Sequence, residues 1–379
     1  MKITIATGPW LPVPALQGGA IPRLWQGLAE EFARRGNDVC ILARSFPGQP
    51  DQEAINGVRF LRFGGYQQSL SIKKDLAKDF IYAVRAVGRL PKADILVTNA
   101  FWLPVLAAFF RRDAGKIVVN ANRFPKGQFR LYSGAARIAA ASTAIRDAIT
   151  EQTPSMSART KVFPNPIDTN LLKPPQLGRG LSEQKTLLFV GRLHPEKGAH
   201  LLVEVFGRLA ARHTDWRLRL VGPIAENQGG GGAEYQKRLL DLANRLPVEF
   251  TGPVFDPAQL AAVYSNADLF CYPSLAEKGE ALPVAPLEAM ATGLAPIVSD
   301  LTCFQDYVCD GESGFYFNHR AADPISELTS RLEKAMNDWQ GTLTVGENAA
   351  LAASQFSYEK VADAYLADFQ CLISQRGGQ

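Results

Sequence analysis

The chain has 379 residues, 46% of them hydrophobic and 21% charged, a composition that buries a sizeable core and excludes a disordered tail or a disulfide-stapled miniprotein. Lys and Arg total 41 against 37 Asp and Glu, leaving +4, too mild a bias to mark a nucleic-acid binder by bulk charge. At roughly 100–200 residues per domain, the length favours two domains.

Residues Ile3 to Thr7 read as a first strand, too short before Gly8-Pro9 to be the core of a signal peptide. A turn at Gly18-Gly19 leads into a helix with Ile21, Leu24, Trp25, Leu28 and Phe32 on one face, Pro22 in its first turn and Gly36 past its end. Val39–Ala43, Val58–Phe63, Ile95–Asn99, Ile117–Val119 and Ile138–Ala141 are the next expected strands. Between Leu70 and Leu90 a helix is expected to bury Ile72, Leu76, Phe80, Ala83 and Val87 and to turn Lys74, Lys78, Arg85 and Arg89 outward as a basic face. Arg111, Arg112, Lys126 and Arg130 add to that charge, and the same pattern also describes a solvated face partly neutralised by Asp75 and Asp79. The apolar run Ala100 to Phe110 contains Pro104 and falls well short of the roughly 20 residues of a bilayer span, so no transmembrane segment is expected.

Val162 to Gly180 carries Pro164, Pro166, Pro174 and Pro175 without a clear period and reads as a linker. The alternation then restarts with expected strands Leu187–Val190, Arg217–Val221, Val248–Thr251, Leu269–Tyr272, Ala295–Ser299 and Gly314–Phe317, and helices such as Ala199–His213 and Ala258–Asn266. Ser357 is a cap for a final helix with Val361, Tyr365, Phe369 and Leu372 on one face. The five cysteines, Cys40, Cys271, Cys303, Cys309 and Cys371, form no C-x-x-C pair and read as reduced thiols.

Two doubly wound domains bind ligands outside the carboxyl ends of their strands, so three segments stand out. Gly191 to Gly198 joins a strand to a helix and places Arg192 and Lys197 beside free backbone N–H groups, a diphosphate site in chemical terms or an ordinary loop with two surface cations. Glu280 and Glu288 are acceptors suited to sugar hydroxyls; Glu288 is equally a favourable acid opening a helix at Glu288 to Thr292. Gly18-Gly19 allows close approach of backbone to a phosphate, as any tight turn does. No G-x-G-x-x-G follows a strand, which disfavours a dinucleotide oxidoreductase.

Taken in order, the Gly18-Gly19 turn, V-G-R-x-x-x-x-K-G ending at Gly198, N-A-D-L-F-x-Y-P-S ending at Ser274, E-x7-E-A-M-A from Glu280, and D-G-x-S-G-F ending at Phe315 resemble the retaining glycosyltransferases of family GT4. The resemblance runs from about residue 2 to 318. It implies the GT-B fold: an α/β chain of two Rossmann-like domains facing each other across a cleft, residues 1–168 and 169–355, with residues 356–379 crossing back as a helix onto the first. By the same resemblance Arg192 and Lys197 bind the donor diphosphate, Glu280 the donor sugar and Glu288 the ribose; Leu282 and Val284 lie in the donor segment, and Gly18 and Gly19 meet phosphate. Asn120, Asn122, Arg123 and Lys126 are the candidates for the acceptor, standing where family members often carry a histidine. None of His194, His200, His213 and His319 lies in the first domain, so a histidine acid or base from it is excluded. Pro283 has no N–H to offer a sugar, and Glu277 competes with Glu280 as the first motif glutamate.

The implied activity is retaining, hexosyltransferase-type transfer from a UDP- or GDP-linked sugar to a glycan or lipid-linked acceptor in the synthesis of cell-surface polysaccharide, lipopolysaccharide or glycolipid. No cofactor and no metal is expected, since the chain has no D-x-D. The expected location is the cytoplasm, with contact to an anionic membrane surface at the inner face of the cell membrane and no nucleic-acid partner. The alternative is a catalytically inert sugar-nucleotide-binding regulatory protein of the same fold.

Overall fold

The computed structural model describes residues 1–16, 19–69, 71–176, 179–180 and 182–374. The chain divides into two compact units, residues 1–166 with the chain from Tyr358 onward, and Ile167–Ser357. In the first unit the strands are β1 (Lys2–Ala6), β2 (Asp38–Arg44), β3 (Gln52–Ile55), β4 (Val58–Phe63), β5 (Ile95–Thr98), β6 (Lys116–Ala121), β7 (Arg137–Ala140) and β8 (Thr160–Val162). Among the described residues they lie in the order β3-β4-β2-β1-β5-β6-β7-β8, parallel throughout except for the β3–β4 edge pair. Helices α1 (Ala20–Arg34), α2 (Ile72–Val87), α3 (Leu103–Phe110) and α4 (Thr143–Gln152) make the crossovers. With helices over both faces, central strands such as β2 and β5 bury side chains of both parities, which is why they read as apolar runs rather than alternating ones.

The second unit repeats the scheme with β9 (Lys185–Val190), β10 (Trp216–Val221), β11 (Val248–Gly252), β12 (Leu269–Tyr272), β13 (Pro296–Ser299) and β14 (Phe315–Phe317), all parallel in the order β11-β10-β9-β12-β13-β14 among the described residues. Its helices are α5 (Ala199–Leu209), α6 (Gly232–Leu242), α7 (Pro257–Ser265), α8 (Val284–Ala291), α9 (Pro324–Asn337) and α10 (Trp339–Ala353). The last helix, α11 (Tyr358–Ser374), belongs to the first unit. Its apolar stripe lies against α1: Tyr365 meets Trp25 at 5.7 Å and stacks on Phe163 at 4.2 Å, while Phe369 meets Phe32 at 5.9 Å. Asp368 on the same helix takes a two-pronged bond from the Arg137 guanidinium at 2.8 and 2.9 Å, buried on both sides. Gly27 makes room for this packing, because a Cβ there would fall 2.3 Å from the Tyr358 ring.

Three expectations are refined or corrected. The boundary between the two units falls inside the proline-rich stretch, between Pro166 and Ile167, and the stretch is well tied down: Val162 ends β8, the Ile167 N–H donates to the Phe356 carbonyl at 2.8 Å, and the Arg179 guanidinium donates to the carbonyls of Tyr264, Ser265 and Thr292. Second, α8 begins at Val284, not Glu288, because Pro283 at its N-cap and Pro286 in its first turn are positions where a missing N–H leaves no bond unmade. Third, α2 is rolled from its expected setting. It buries Asp79, Tyr82, Ala83 and Ala86 and leaves Phe80 exposed.

Candidate active site

The carboxyl ends of β9, β12, β13 and β14 carry the polar loops of the second unit. After β9 the chain runs through Gly191 to a short 3₁₀ turn at Pro195–Lys197 and into α5 by way of Gly198. Gly198 has φ +73, in the left-handed region, and a Cβ there would lie 1.9 Å from the Pro273 carbonyl oxygen. Glycine is thus what lets this loop press against the one following β12. The Leu275 N–H donates to the Glu196 carbonyl at 2.8 Å, and the Ser274 hydroxyl oxygen lies 3.2 Å from the same carbonyl.

That close approach brings Lys197 and Glu280 together from opposite loops. The Lys197 ammonium donates to Glu280 Oε1 at 2.6 Å, and the two residues are 5% and 6% exposed. The same carboxylate oxygen accepts from the hydroxyls of Ser274 at 2.8 Å and Tyr272 at 3.0 Å. Burial, and then the Glu280 charge, push the Tyr272 phenol well above its ordinary range, so it stays a donor. Arg192 is more open: its guanidinium donates to the Gly229 carbonyl at 2.6 Å and to Glu196 Oε1 at 2.8 Å. Glu196 Oε1 also stands 3.6 Å from the Lys197 ammonium, so two cations and two carboxylates form one network. Lys197 is therefore no surface cation.

Glu288 sits on the second turn of α8, half-buried, and its Oε2 accepts from the Tyr264 hydroxyl of α7 at 2.8 Å. The expected role as an acid at a helix start is thus corrected. Leu282 is buried and Val284 half-buried between the two glutamates. Glu277 points elsewhere: Arg320 donates to both its oxygens at 2.7 and 2.8 Å, and His319 Nε2 lies 2.9 Å from Oε1. The bonds from Arg320 lead in holding its carboxyl below the usual range. His319 Nδ1 faces Asp300 Oδ1, so Glu277 is bound into a separate cluster.

In the first unit Gly19 caps α1 with φ +101, and a Cβ there would meet Leu11 Cδ1 at 2.6 Å, a local packing reason for the glycine. Gly18 lies outside the described residues. Asn120, next to last in β6, is 8% exposed and accepts from the Asn99 amide at 2.5 Å. Its own amide is 3.5 Å from Asn122 Oδ1. Arg123 and Lys126 are exposed.

Two family models match, Glycosyl transferase 4-like domain over residues 18–166 and Glycosyl transferases group 1 over residues 179–351. The chain belongs to the GT4-type group 1 glycosyltransferases. It is 29% identical over 304 residues to the phosphatidyl-myo-inositol mannosyltransferase of Mycolicibacterium smegmatis, covering 76% of this chain and 74% of that one. Sucrose-phosphate synthase from Thermosynechococcus elongatus superposes with a TM-score of 0.78 at 20% identity, over 99% of this chain and 100% of the other. HepE from Anabaena, solved in complex with UDP-glucose, gives 0.71 at 20% identity over 98% and 100%. These likenesses fix the fold as GT-B.

Within this glycosyltransferase several site groups escape sequence reasoning. Tyr272 and Ser274 lie in the N-A-D-L-F-x-Y-P-S segment, but nothing in the spacing shows that both hydroxyls aim at Glu280. The Gly229–Gly232 run reads as low complexity; in the fold it supplies the carbonyl that holds Arg192. Asn99, at the end of β5, is identifiable only through Asn120 on the neighbouring strand.

Proposed function

We propose that this glycosyltransferase moves a hexose, with retention at the anomeric carbon, from a UDP- or GDP-linked sugar to a glycan or lipid-linked acceptor in the synthesis of a cell-surface polysaccharide, lipopolysaccharide or glycolipid. The observation that carries the reading is the network joining Arg192, Lys197 and Glu280 at the carboxyl ends of β9 and β12. Nucleotide diphosphates suit that place, and the UDP-glucose bound by HepE supports the donor class.

Arg192 exchanges Glu196 for donor phosphate oxygens, while Lys197 stays on Glu280 and adds its charge from below. Both offset the negative charge that grows on the leaving diphosphate. Glu280, oriented by Ser274 and Tyr272, accepts from donor-sugar hydroxyls; Glu288, oriented by Tyr264, accepts from the ribose. Leu282 and Val284 border the sugar, and Gly18 and Gly19 meet phosphate. The acceptor hydroxyl attacks from the leaving group's face, so no protein nucleophile is needed, and two fixed cations do the work for which other enzymes use a metal. Asn120, Asn122, Arg123 and Lys126 face the acceptor in this reading. The reaction belongs to the cytoplasm, at the inner face of the membrane.

Thermal-shift titration with UDP, GDP and their sugars tests the donor half. One nucleotide class is expected to stabilise the protein, by about 2.7 kcal/mol at 100 times its Kd. Arg192→Ala should weaken that binding by about ten- to a hundredfold, the worth of a lost hydrogen bond to a charged group. Indifference to every nucleotide would overturn the proposal. Binding without turnover on any acceptor, judged by mass spectrometry, would favour the inert regulatory reading, which Pro283 supports through its missing N–H.

A further inference from the structure

The loop after β12 is gripped at two points. On its buried side Glu280 Oε1 accepts from Lys197, Ser274 and Tyr272. On its exposed side Glu277, three residues earlier, is fastened to the carboxyl ends of β13 and β14. His319, two residues past β14, reaches Glu277 Oε1 with Nε2 at 2.9 Å and, with Nδ1, the Oδ1 of Asp300 just past β13. Arg320 donates to both Glu277 oxygens at 2.7 and 2.8 Å and stands 3.2 Å from Asp300 Oδ2. The Ser299 hydroxyl, at the end of β13, donates to the Ser274 carbonyl at the root of the loop.

These contacts have the chemistry of a clamp. Carboxylate oxygens only accept, so an imidazole set between two of them is satisfied when both ring nitrogens donate. The His319 side chain is 4% exposed, which fixes the ring, whereas Glu277 sits half-exposed at the rim. A planar guanidinium gripping a carboxylate with two N–H groups adds a direction that a lysine contact lacks. Two carboxylates thus meet two cations, and among the described residues no group of three or more His, Cys, Asp and Glu could hold a metal ion.

Between the two grips the chain is short and closed on itself. The N–H groups of Gly279 and Glu280 both donate to the Ala276 carbonyl, at 3.0 and 3.3 Å, so residues 276–280 form one turn. A Cβ on Gly279 would fall 2.8 Å from the Cβ of Ala276, which is buried. A turn this tight transmits a displacement of Glu277 to Glu280.

We propose that His319, with Asp300 and Arg320, is a positioning residue for recognition of the donor sugar: by fixing Glu277 it fixes the turn that carries Glu280. With Oε1 taken by three donors, the sugar hydroxyl falls to Glu280 Oε2, and the setting of that oxygen depends on where the turn is held. Arg192 and Lys197, the diphosphate side of the site, belong to the loop after β9 and do not hang from the clamp. The inference rests on the donor reading and deepens it, giving the sugar a set of residues that touch neither sugar nor nucleotide.

The test pairs amide hydrogen exchange of residues 275–281 in the ligand-free full chain with calorimetric titration of UDP, GDP, UDP-glucose, UDP-N-acetylglucosamine and GDP-mannose. His319→Ala should quicken exchange in the loop by about tenfold, the worth of a lost hydrogen bond. Glu277→Ala, at a half-exposed position, should do the same and keeps the test standing if His319→Ala fails to fold. For the nucleotide sugar that wild type binds, each variant should raise Kd by about tenfold, while Kd for the bare nucleotide stays within about threefold. General loosening of the unit would weaken both alike. The double variant should lose no more than either single one, since both break one clamp. Unchanged exchange would overturn the clamp whatever the ligand. Quickened exchange with sugar and nucleotide weakened equally, or with neither weakened, would overturn the positioning role, as would additive losses in the double variant. Wild type that binds no nucleotide and no nucleotide sugar would bring down the donor reading itself, and the positioning role with it.

Discussion

The Lys197–Glu280 network and the α2–α3 helices depart from ordinary packing in opposite senses. Around Lys197 and Glu280 the second unit buries full charges; on α2 and α3 the first unit exposes large apolar side chains. Each inversion has a geometric origin in a single residue with no alternative setting, Gly198 in one case and Asp79 in the other. The buried charges are held by mutual contact and fail when one is removed, whereas Phe109 and Phe110 stand mainly in water and Phe80 keeps an edge contact with Trp102 at 5.7 Å. A charge taken from water is stable only while its partner stays, and an apolar group left in water is indifferent to truncation.

The contrast is tested most severely at Lys197. Lys197→Ala leaves the Glu280 carboxylate buried without its cation, and chemical unfolding should show a loss of about 3–5 kcal/mol, confined to the second unit. Replacing both partners, Lys197→Met with Glu280→Leu, should restore most of that loss while abolishing the nucleotide response. A single variant as stable as wild type would mean that Glu280 protonates or reaches water, and the pair would then be no inversion at all.

A titratable group beside the network sharpens the comparison further. His200, on the first turn of α5, has Nδ1 3.0 Å from the Tyr235 hydroxyl, and burial, with Arg238 adding to it, lowers its pKa from 6.5 to about 4. The folded state therefore refuses a proton that the unfolded chain accepts. Stability is full above pH 6.5 and declines as the pH falls through the window down to about 4. Allowing for partial solvent screening, the decline should amount to about 2 kcal/mol. His200→Gln should flatten that slope in an acid titration of thermal midpoints; an unaltered slope would assign it to carboxylates such as Glu277, whose lowered pKa likewise withdraws stability as pH falls.

How far the sequence discloses these regions differs with the range of the forces involved. Strand runs such as Val58–Phe63 and Leu269–Tyr272 are legible because burial on both faces leaves a continuous apolar record. Arg192, Lys197, Glu280 and Glu288 are legible as a spaced pattern, but burial of Lys197 is not, since it follows from contact between loops 75 residues and more apart in the chain, as between Gly198 and Pro273. The short edge strand β3 and the three-residue β8 carry too few residues to show a period. The setting of α2 misleads for a clearer reason. Its apolar residues do recur at helical spacing, yet Asp79, polar and therefore assigned outward, is needed inside to cap α3. With that tertiary hydrogen bond made, Phe80 turns to solvent, while Ala83 stays buried and Lys74, Arg85 and Arg89 stay exposed as expected.

The smallest expected effect completes the opposition. Phe110 is 71% exposed at the end of α3, so Phe110→Ser removes side-chain contacts that are made mainly with water. Surface substitutions away from packed features change stability by no more than about 0.5 kcal/mol. Thermal unfolding of this variant should therefore match wild type within that margin. A loss several times larger would show that Phe110 is packed in solution against a partner surface. Unchanged stability on losing Phe110, set against a large loss on losing Lys197, separates the two regions by thermodynamics: the charges near Lys197 hold the fold, whereas the Phe110 side chain contributes little to it.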